Sequence, residues 1–379
     1  MAKKIWTWLV PLIVVIVILA IAIPLSMKKP AEKEVIKIGA ILFLTGNQAV
    51  LGEEIKNGLV LANELDNEKA EQKIELIIED SGDDPNKAIS AYNKLRLEKI
   101  PIIISSGDQV SYVLSSITNK DKVLLLGTAA DSQEILGDYF FRGSLRVQKE
   151  ARILGDYAVK ELNCKRIGVI YINNIYGESF RKVFGDTARK NTGEIVSEEA
   201  FGIADTDVKT QILKTMQNNP DCISASGFGP GLNILFKQLR EYGWNGITIS
   251  PSPITDPYQF KTIGIENLNN TYFLAVDFDA ENPSNEKIKE FVDRYKERFP
   301  KSPLPGKFAA IAYDNYNILA WAIRECGYDA EKVKNCLLEA KDKQGILGSI
   351  DFSTHELKIP LYLKKVENGK IITIKAITE

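Results

Sequence analysis

From Ile36 onward, short apolar runs alternate with longer stretches in which apolar residues recur at helical spacing. Residues 36–44 read as a strand, and 52–66 as a helix with Ile55, Leu59 and Ala62 along one face. Strands over 74–78, 101–104 and 123–126 follow, separated by helices over 85–99 and near 110–117. Short, β-rich runs with almost no polar interruption are the mark of parallel strands buried on both faces. The pattern therefore predicts a doubly wound α/β unit.

A second series begins near Ala151. It reads helix 151–162, strand 166–171, helix 178–191, strand 194–198, helix 207–218, strand 222–226, helix 232–242 and strand 247–250. The two series echo each other. Lys37-Ile38-Gly39 opens one and Arg166-Ile167-Gly168 the other, and each first strand runs through a loop to Gly-Glu (Gly52-Glu53, Gly177-Glu178) and a helix. This is a duplicated architecture and not a short-period repeat array. No Gly/Ser-rich linker lies between the halves, so two lobes joined by several short crossings are expected. A strand over 272–276, helices over 285–299, 307–326 and 330–341, and strands over 359–366 and 371–377 complete the chain. The last two strands meet at Glu367-Asn368-Gly369, a strong hairpin signal.

The first 30 residues follow another rule. After Lys3-Lys4, residues 5–25 carry no charge, and a helix of that length spans about 30 Å, the thickness of a bilayer's hydrocarbon layer. Trp6 and Trp8 suit one interface and Lys28-Lys29 the other. A cleaved signal peptide is the alternative, but Ile23-Pro24-Leu25-Ser26-Met27 makes a poor cleavage site. These 30 residues hold four lysines and no acid, which leaves 44 basic against 50 acidic residues in the rest, a balance of −6. That balance excludes the basic footprint of a nucleic-acid binder.

In open α/β sheets ligands bind beyond the carboxyl ends of the strands. The loops 45–50, 105–110, 127–132, 173–177, 227–231 and 250–256 are therefore the candidates. No strand runs into GxGxxG or a P-loop, so a nucleotide cofactor lacks its phosphate cradle, and no cofactor is expected. There is no GxSxG elbow. The single histidine, His355, lies in a polar turn and reads as a loop residue with no nucleophile to serve. Glu53-Glu54 and Asp83-Asp84 read as solvated helix-start charges. Four cysteines allow three pairings. Cys326 and Cys336 straddle a turn, and Cys164 and Cys222 each precede an apolar run, so two disulfides or four free thiols fit equally.

Several stretches together carry a family likeness. Residues 36–46 followed by 51–58 (Leu-Gly-Glu-Glu-Ile-Lys-Asn-Gly), Glu79-Asp80-Ser81, residues 166–171 with Tyr176-Gly177, Asp205-Thr206-Asp207 and residues 309–314 resemble, in order and spacing, the type I solute-binding proteins of the leucine/isoleucine/valine-binding family. The resemblance spans about residues 35–375. It implies two Rossmann-like lobes closing on a solute, with residues 35–147 plus 275–343 in the first lobe and 148–274 plus 344–379 in the second, behind an anchor of residues 1–34. It further implies an extracytoplasmic binding protein, not an enzyme, that is monomeric, serves ABC transporter permease subunits, and sits at the cell membrane or is secreted after cleavage. A receptor ectodomain or amide sensor of the same fold is the runner-up, and an α/β enzyme comes third.

The resemblance also implies the site, with departures. Asp108 and Gln109 stand where the family has Ser-Ser to hold a ligand carboxylate at a helix N-terminus, and Ala130-Asp131 where it has Ala-Thr. Tyr176 is retained, Phe228 falls at a frequent aromatic position, and Ser252 stands where branched-chain amino-acid binders place the acid that holds the ammonium. Two carboxylates at the carboxylate site would repel an ordinary α-amino acid. Either the solute is a cation, an amide or a polyol, or Asp108 and Asp131 are helix caps turned onto backbone amides.

Overall fold

The computed structural model describes residues 35–377 except Gln133 and Asp342. The first half runs β1 (Ile36–Leu42), α1 (Ala49–Lys69), β2 (Ile74–Asp80), α2 (Pro85–Leu97), β3 (Ile102–Ser106), α3 (Asp108–Asp121), β4 (Leu124–Thr128) and β5 (Phe140–Arg142). The second runs α4 (Val147–Lys160), β6 (Arg166–Ile172), α5 (Ile175–Lys190), β7 (Glu194–Phe201), α6 (Lys209–Gln217), β8 (Cys222–Ser226), α7 (Gly229–Glu241), β9 (Ile247–Ser250), α8 (Pro257–Ile263) and β10 (Thr271–Ala275). Then come α9 (Glu286–Arg298), α10 (Lys307–Cys326), α11 (Ala330–Glu339), a small hairpin β11 (Lys343–Gly345) and β12 (Gly348–Ile350), and the terminal hairpin β13 (Leu361–Glu367) and β14 (Lys370–Ile377).

The first sheet is parallel, in the order β2-β1-β3-β4-β5. Every residue of β3 and β4 is buried, as their unbroken apolar runs require. The second sheet is ordered β14-β13-β10-β9-β8-β6-β7, parallel through β10 and antiparallel at β10–β13 and β13–β14. In each sheet the order reverses around its first strand, between β1 and β3 and between β6 and β8. Those reversals are the crevices where an α/β sheet receives ligands.

The duplicated Gly-Glu has a packing reason. A Cβ at Gly52 would lie 1.9 Å from the Phe43 carbonyl oxygen, and one at Gly177 would lie 1.8 Å from that of Ile172. Each glycine lets its helix settle directly on the end of the lobe's first strand. The Asn-Gly turn also behaves as expected, with Asn368 at φ 52° and Gly369 at φ 71°.

Each lobe has its own core. The larger lies between the first sheet and α1, α9, α10 and α11, and the other is built on the second sheet. The chain passes between them after Leu145, after Ala275 and between Ile359 and Leu363. The third crossing is later than the boundary at 343/344 drawn from the sequence. Ile346, Leu347, Ile350, Phe352, Leu357 and Ile359 all pack into the first core. Buried Asp314 of α10 anchors this segment by accepting the amides of Ile346 (2.9 Å) and Leu347 (3.3 Å). No helix of the described residues is long and apolar enough to cross a membrane. The expected anchor, residues 1–34, lies outside the described residues.

Both cysteine pairs are disulfides, Cys164–Cys222 at the starts of β6 and β8 and Cys326–Cys336 between α10 and α11. His355 is a loop residue at φ 61°, half-buried against the Phe141 ring at 4.6 Å.

Candidate functional site

The loops beyond β1, β3 and β4 face those beyond β6, β8 and β9 across a cleft of about 1020 Å³ open to solvent. Its apolar wall is Val50, Leu51, Ile175, Tyr176, Phe228 and Phe308. Its charged lining consists of Glu54, Asp83, Asp108, Asp131 and Asp256, with no basic side chain among the described residues.

Gly107, at φ 89°, turns the chain out of β3 so that Asp108 becomes the first residue of α3. Asp108 does not cap its own helix: its Oδ1 accepts the Ser132 amide at 2.8 Å, which ties the loop after β4 to α3. Burial, with Asp131 beside it, pushes its carboxyl up to about 8. Asp131 precedes no helix directly. It is 8% exposed, and its Oδ1 has no hydrogen-bond partner within the protein. Burial raises its carboxyl, while Ser144, Lys307 and Arg142 hold it back. Neither acid caps a helix, although Asp108 does turn an oxygen onto a backbone amide, that of Ser132.

Tyr176 stands in the first turn of α5, whose N-terminus is capped by Asn174 Oδ1 accepting the Gly177 amide at 2.9 Å. The Tyr176 ring meets Phe228 edge-on at 5.5 Å, and its hydroxyl is buried without a partner. Gln109 also lines the cleft. Two sequence candidates do not. Ala130 is fully buried in the small core under α2 and α3, and Ala129, at φ 51°, takes the lining position instead. Ser252 turns away to Glu150, giving its amide (2.6 Å) and its hydroxyl (2.8 Å) to that carboxylate.

Other residues of the site were invisible to sequence reasoning, and two of them correct it. Glu54 is not a solvated helix-start charge. It lines the cleft and accepts the Ala309 amide at 2.9 Å. Asp83, at φ 58°, also faces the cleft, where its Oδ2 takes a 2.7 Å bond from Gln48, while Asp84 caps α2. From the other lobe comes Asp256, which caps α8 through Oδ1 and leaves Oδ2 buried with no donor. The carboxyl facing Asp256 is that of Glu54, and burial with this neighbour holds Glu54 well above the usual range. Lys307, 4% exposed at the start of α10, is surrounded by Glu150, Asp131, Asp256 and Glu54. Burial lowers its ammonium, and the four acids oppose that. Glu150 rises to about 6 through burial, restrained by Lys307 and Ser252.

Chemically the lining offers unpaired buried acceptors on Asp83, Asp131 and Asp256 together with two unpaired groups that can donate, Gln259 Nε2 and the Tyr176 hydroxyl. It has no nucleophile poised on a base. The only trio of acidic or thiol groups close enough to share a metal ion among the described residues is Cys164, Asp221 and Cys222, and its sulfurs are already bonded to each other.

A family model described as periplasmic binding protein matches residues 35–370. The chain belongs to the periplasmic binding protein family. It is accordingly a solute-binding protein of a periplasmic or extracellular family and not an enzyme. A Leu/Ile/Val-binding protein homolog of Brucella melitensis is 22% identical, over 90% of this chain and 94% of that protein. Among solved structures, the branched-chain amino acid transporter substrate-binding protein LivJ of Streptococcus pneumoniae, in complex with isoleucine, superposes with a TM-score of 0.78 at 24% identity. It covers 90% of this binding protein and 99% of LivJ. A solute-binding protein of an ABC transporter from Rhodopseudomonas palustris, in complex with benzoate, gives 0.79 at 20% identity, covering 91% and 98%. The likeness to these structures is one of fold; what this binding protein selects is written in its own lining.

Proposed function

We propose that this binding protein captures a small organic cation rich in N–H donors between its lobes and delivers it to the permease of an ABC importer. One observation carries the reading: the cleft presents five carboxyl groups and no basic side chain, and three of their buried oxygens, on Asp83, Asp131 and Asp256, have no hydrogen-bond partner. A buried acceptor without a donor is unfavourable, and an ammonium or guanidinium removes the deficit while offsetting the charge. A ligand carboxylate placed beside Asp108 and Asp131 would meet like charge in a poorly hydrated site.

On this reading Asp108, Gln109 and Asp131 hold the charged group while Tyr176 and Phe228 close over its apolar part. Ala130 and Ser252 support the loops from behind. The protein acts as a monomer, its two lobes moving about three crossings, and residues 1–34 tether it outside the membrane through the apolar stretch 5–25. Thermal shift and calorimetry on residues 35–379 test the ligand class, with a panel of amines, guanidines, amides, polyols, leucine, valine and glutamate. Cations are expected to stabilise the protein. Micromolar binding of leucine, valine or glutamate would overturn the proposal.

A further inference from the structure

Four of the cleft's five carboxyl groups form two separate pairs; the fifth, Asp83, is held by Gln48 and has its own buried unpaired Oδ1. Asp108 and Asp131 both line the cleft from the segments after β3 and β4, and the charge of Asp131 acts on Asp108. Glu54 and Asp256 meet from opposite lobes, one on α1 and one capping α8. Gly306 closes this second meeting point: a Cβ there would lie 2.7 Å from Glu54 Oε1 and 3.2 Å from Asp256 Oδ2. Each pair contributes one buried oxygen with no donor, Asp131 Oδ1 in a residue 8% exposed and Asp256 Oδ2 in a residue 7% exposed. Both residues line the same cavity.

Two carboxyl groups face to face need something positive between them: in the free protein a proton on Glu54 beside Asp256 and one on Asp108 beside Asp131 serve, and a bound cation would replace them. Lys307 faces members of both pairs but is a single charge, and it also serves Glu150. Arg142 lies beneath Asp108 and Asp131, with its guanidinium on the Ala130 and Ile135 carbonyls and beside Glu356. Neither is part of the cavity lining. No three of the cleft's carboxylates come within shared ligating distance among the described residues, so they form no three-carboxylate cage for an inorganic ion. The same lining supplies Val50, Leu51, Ile175, Tyr176, Phe228 and Phe308, a surface suited to methylene groups.

We infer that the solute is an organic dication, an α,ω-diamine or its guanidino equivalent, with one charged end at Asp108/Asp131 and the other at Glu54/Asp256. This rests on the cation reading proposed above and adds that both pairs are occupied at once. Because Glu54 and Asp256 belong to different lobes, the second charged end also joins the lobes, so the dication favours closure where a monoamine does not.

Calorimetry with short α,ω-diaminoalkanes of graded length, each against the n-alkylamine of equal length, tests this. The best diamine is expected to bind about tenfold to a hundredfold tighter than its monoamine, as one added charge-assisted hydrogen-bonded contact implies. Glu54→Gln and Asp256→Asn should each lower diamine affinity by more than monoamine affinity, and so shrink that advantage. Asn still caps α8, so the Asp256→Asn protein should melt as the parent does. Equal affinity for diamines and monoamines would overturn the dication inference while leaving the cation reading intact. Monoamine binding lost together with diamine binding, in variants that melt normally, would overturn the two-ended arrangement. Binding of neutral amides or carboxylates with no amine binding would overturn both.

Discussion

Asp108 Oδ1 accepts the Ser132 amide at 2.8 Å, so the acid that stands first in α3 also fixes the loop carrying Asp131. The two acids are thereby held side by side by the backbone, and Asp108 keeps its proton there in the free protein. Asp108→Asn retains an oxygen for the Ser132 amide and removes the carboxyl group that would ionise against a bound cation. Affinity for a cation is expected to fall about tenfold to a hundredfold, the worth of roughly 1.5–3 kcal/mol for a hydrogen bond to a charged group. The melting temperature at neutral pH should hold, since Asp108 is already uncharged in the free protein. Parallel calorimetry and thermal unfolding check both halves.

The same pair predicts how binding depends on pH. Asp108, raised to about 8, holds its proton at neutral pH in the free protein. A cation binds the ionised form, so that proton must leave. Affinity should therefore increase as pH rises toward 8 and level off above it, with a slope of up to about tenfold per pH unit for one displaced proton. Calorimetry at pH 7 in buffers of different ionisation enthalpy should report proton release on binding. Proton uptake would contradict the assignment.

Stability of the free protein should run the opposite way. Asp108 at about 8, Glu150 at about 6 and Asp314 at about 6 all lie above the ordinary carboxylate value, so the folded state binds more protons than the unfolded one between roughly pH 4 and 8. Unfolding free energy contributed by these groups is full below the unfolded value and is lost as pH climbs through the folded ones. Urea unfolding at pH 5 and pH 8 should show the loss, and a saturating cationic solute should restore much of it.

The scaffold was legible in the sequence because strands buried on both faces leave uninterrupted apolar runs, and the loops after them locate the cleft. What escaped was too short or too distant. β5 is the three residues Phe140–Arg142, less than one period of any pattern. α8 carries a readable start, Asp256 before Pro257, that passes for a turn within a polar loop. Glu53 and Glu54 are adjacent, and only the packing of α1 on α10 decides that the first meets water and the second meets the cleft. Lys307 and its four acids come from both lobes, so no local pattern announces them.

Tyr176 separates contact from packing. Its hydroxyl is buried near Glu150, Asp131 and Asp108 without a partner, and burial followed by those charges raises its ionisation well above the usual value. Tyr176→Phe keeps the edge-on contact with Phe228 and removes an unsatisfied polar atom, so thermal stability should be unchanged or higher. If the hydroxyl contacts solute, affinity should fall with it. Tyr176→Ala should lose binding and cost about 3–5 kcal/mol, as for other large buried aromatics, measured by denaturant unfolding.

The disulfides should contribute unequally. Cys164–Cys222 spans 58 positions and ties the starts of the neighbouring strands β6 and β8 of the second sheet, whereas Cys326–Cys336 spans 10 between α10 and α11. Loop-closure entropy in the unfolded chain assigns about 4 kcal/mol to the longer link and about 3 kcal/mol to the shorter. The shorter also closes a turn that α10 and α11 hold by their own packing, with Asp329 capping α11. Replacing Cys326 and Cys336 by alanine should lower the melting temperature modestly. Replacing Cys164 and Cys222 should lower it more and leave two buried voids in the second core. Both double variants should still bind solute at temperatures well below their transitions, because neither bond touches the cleft. A larger loss for the 326–336 pair would mean that the α10–α11 turn depends on its covalent link more than on its packing.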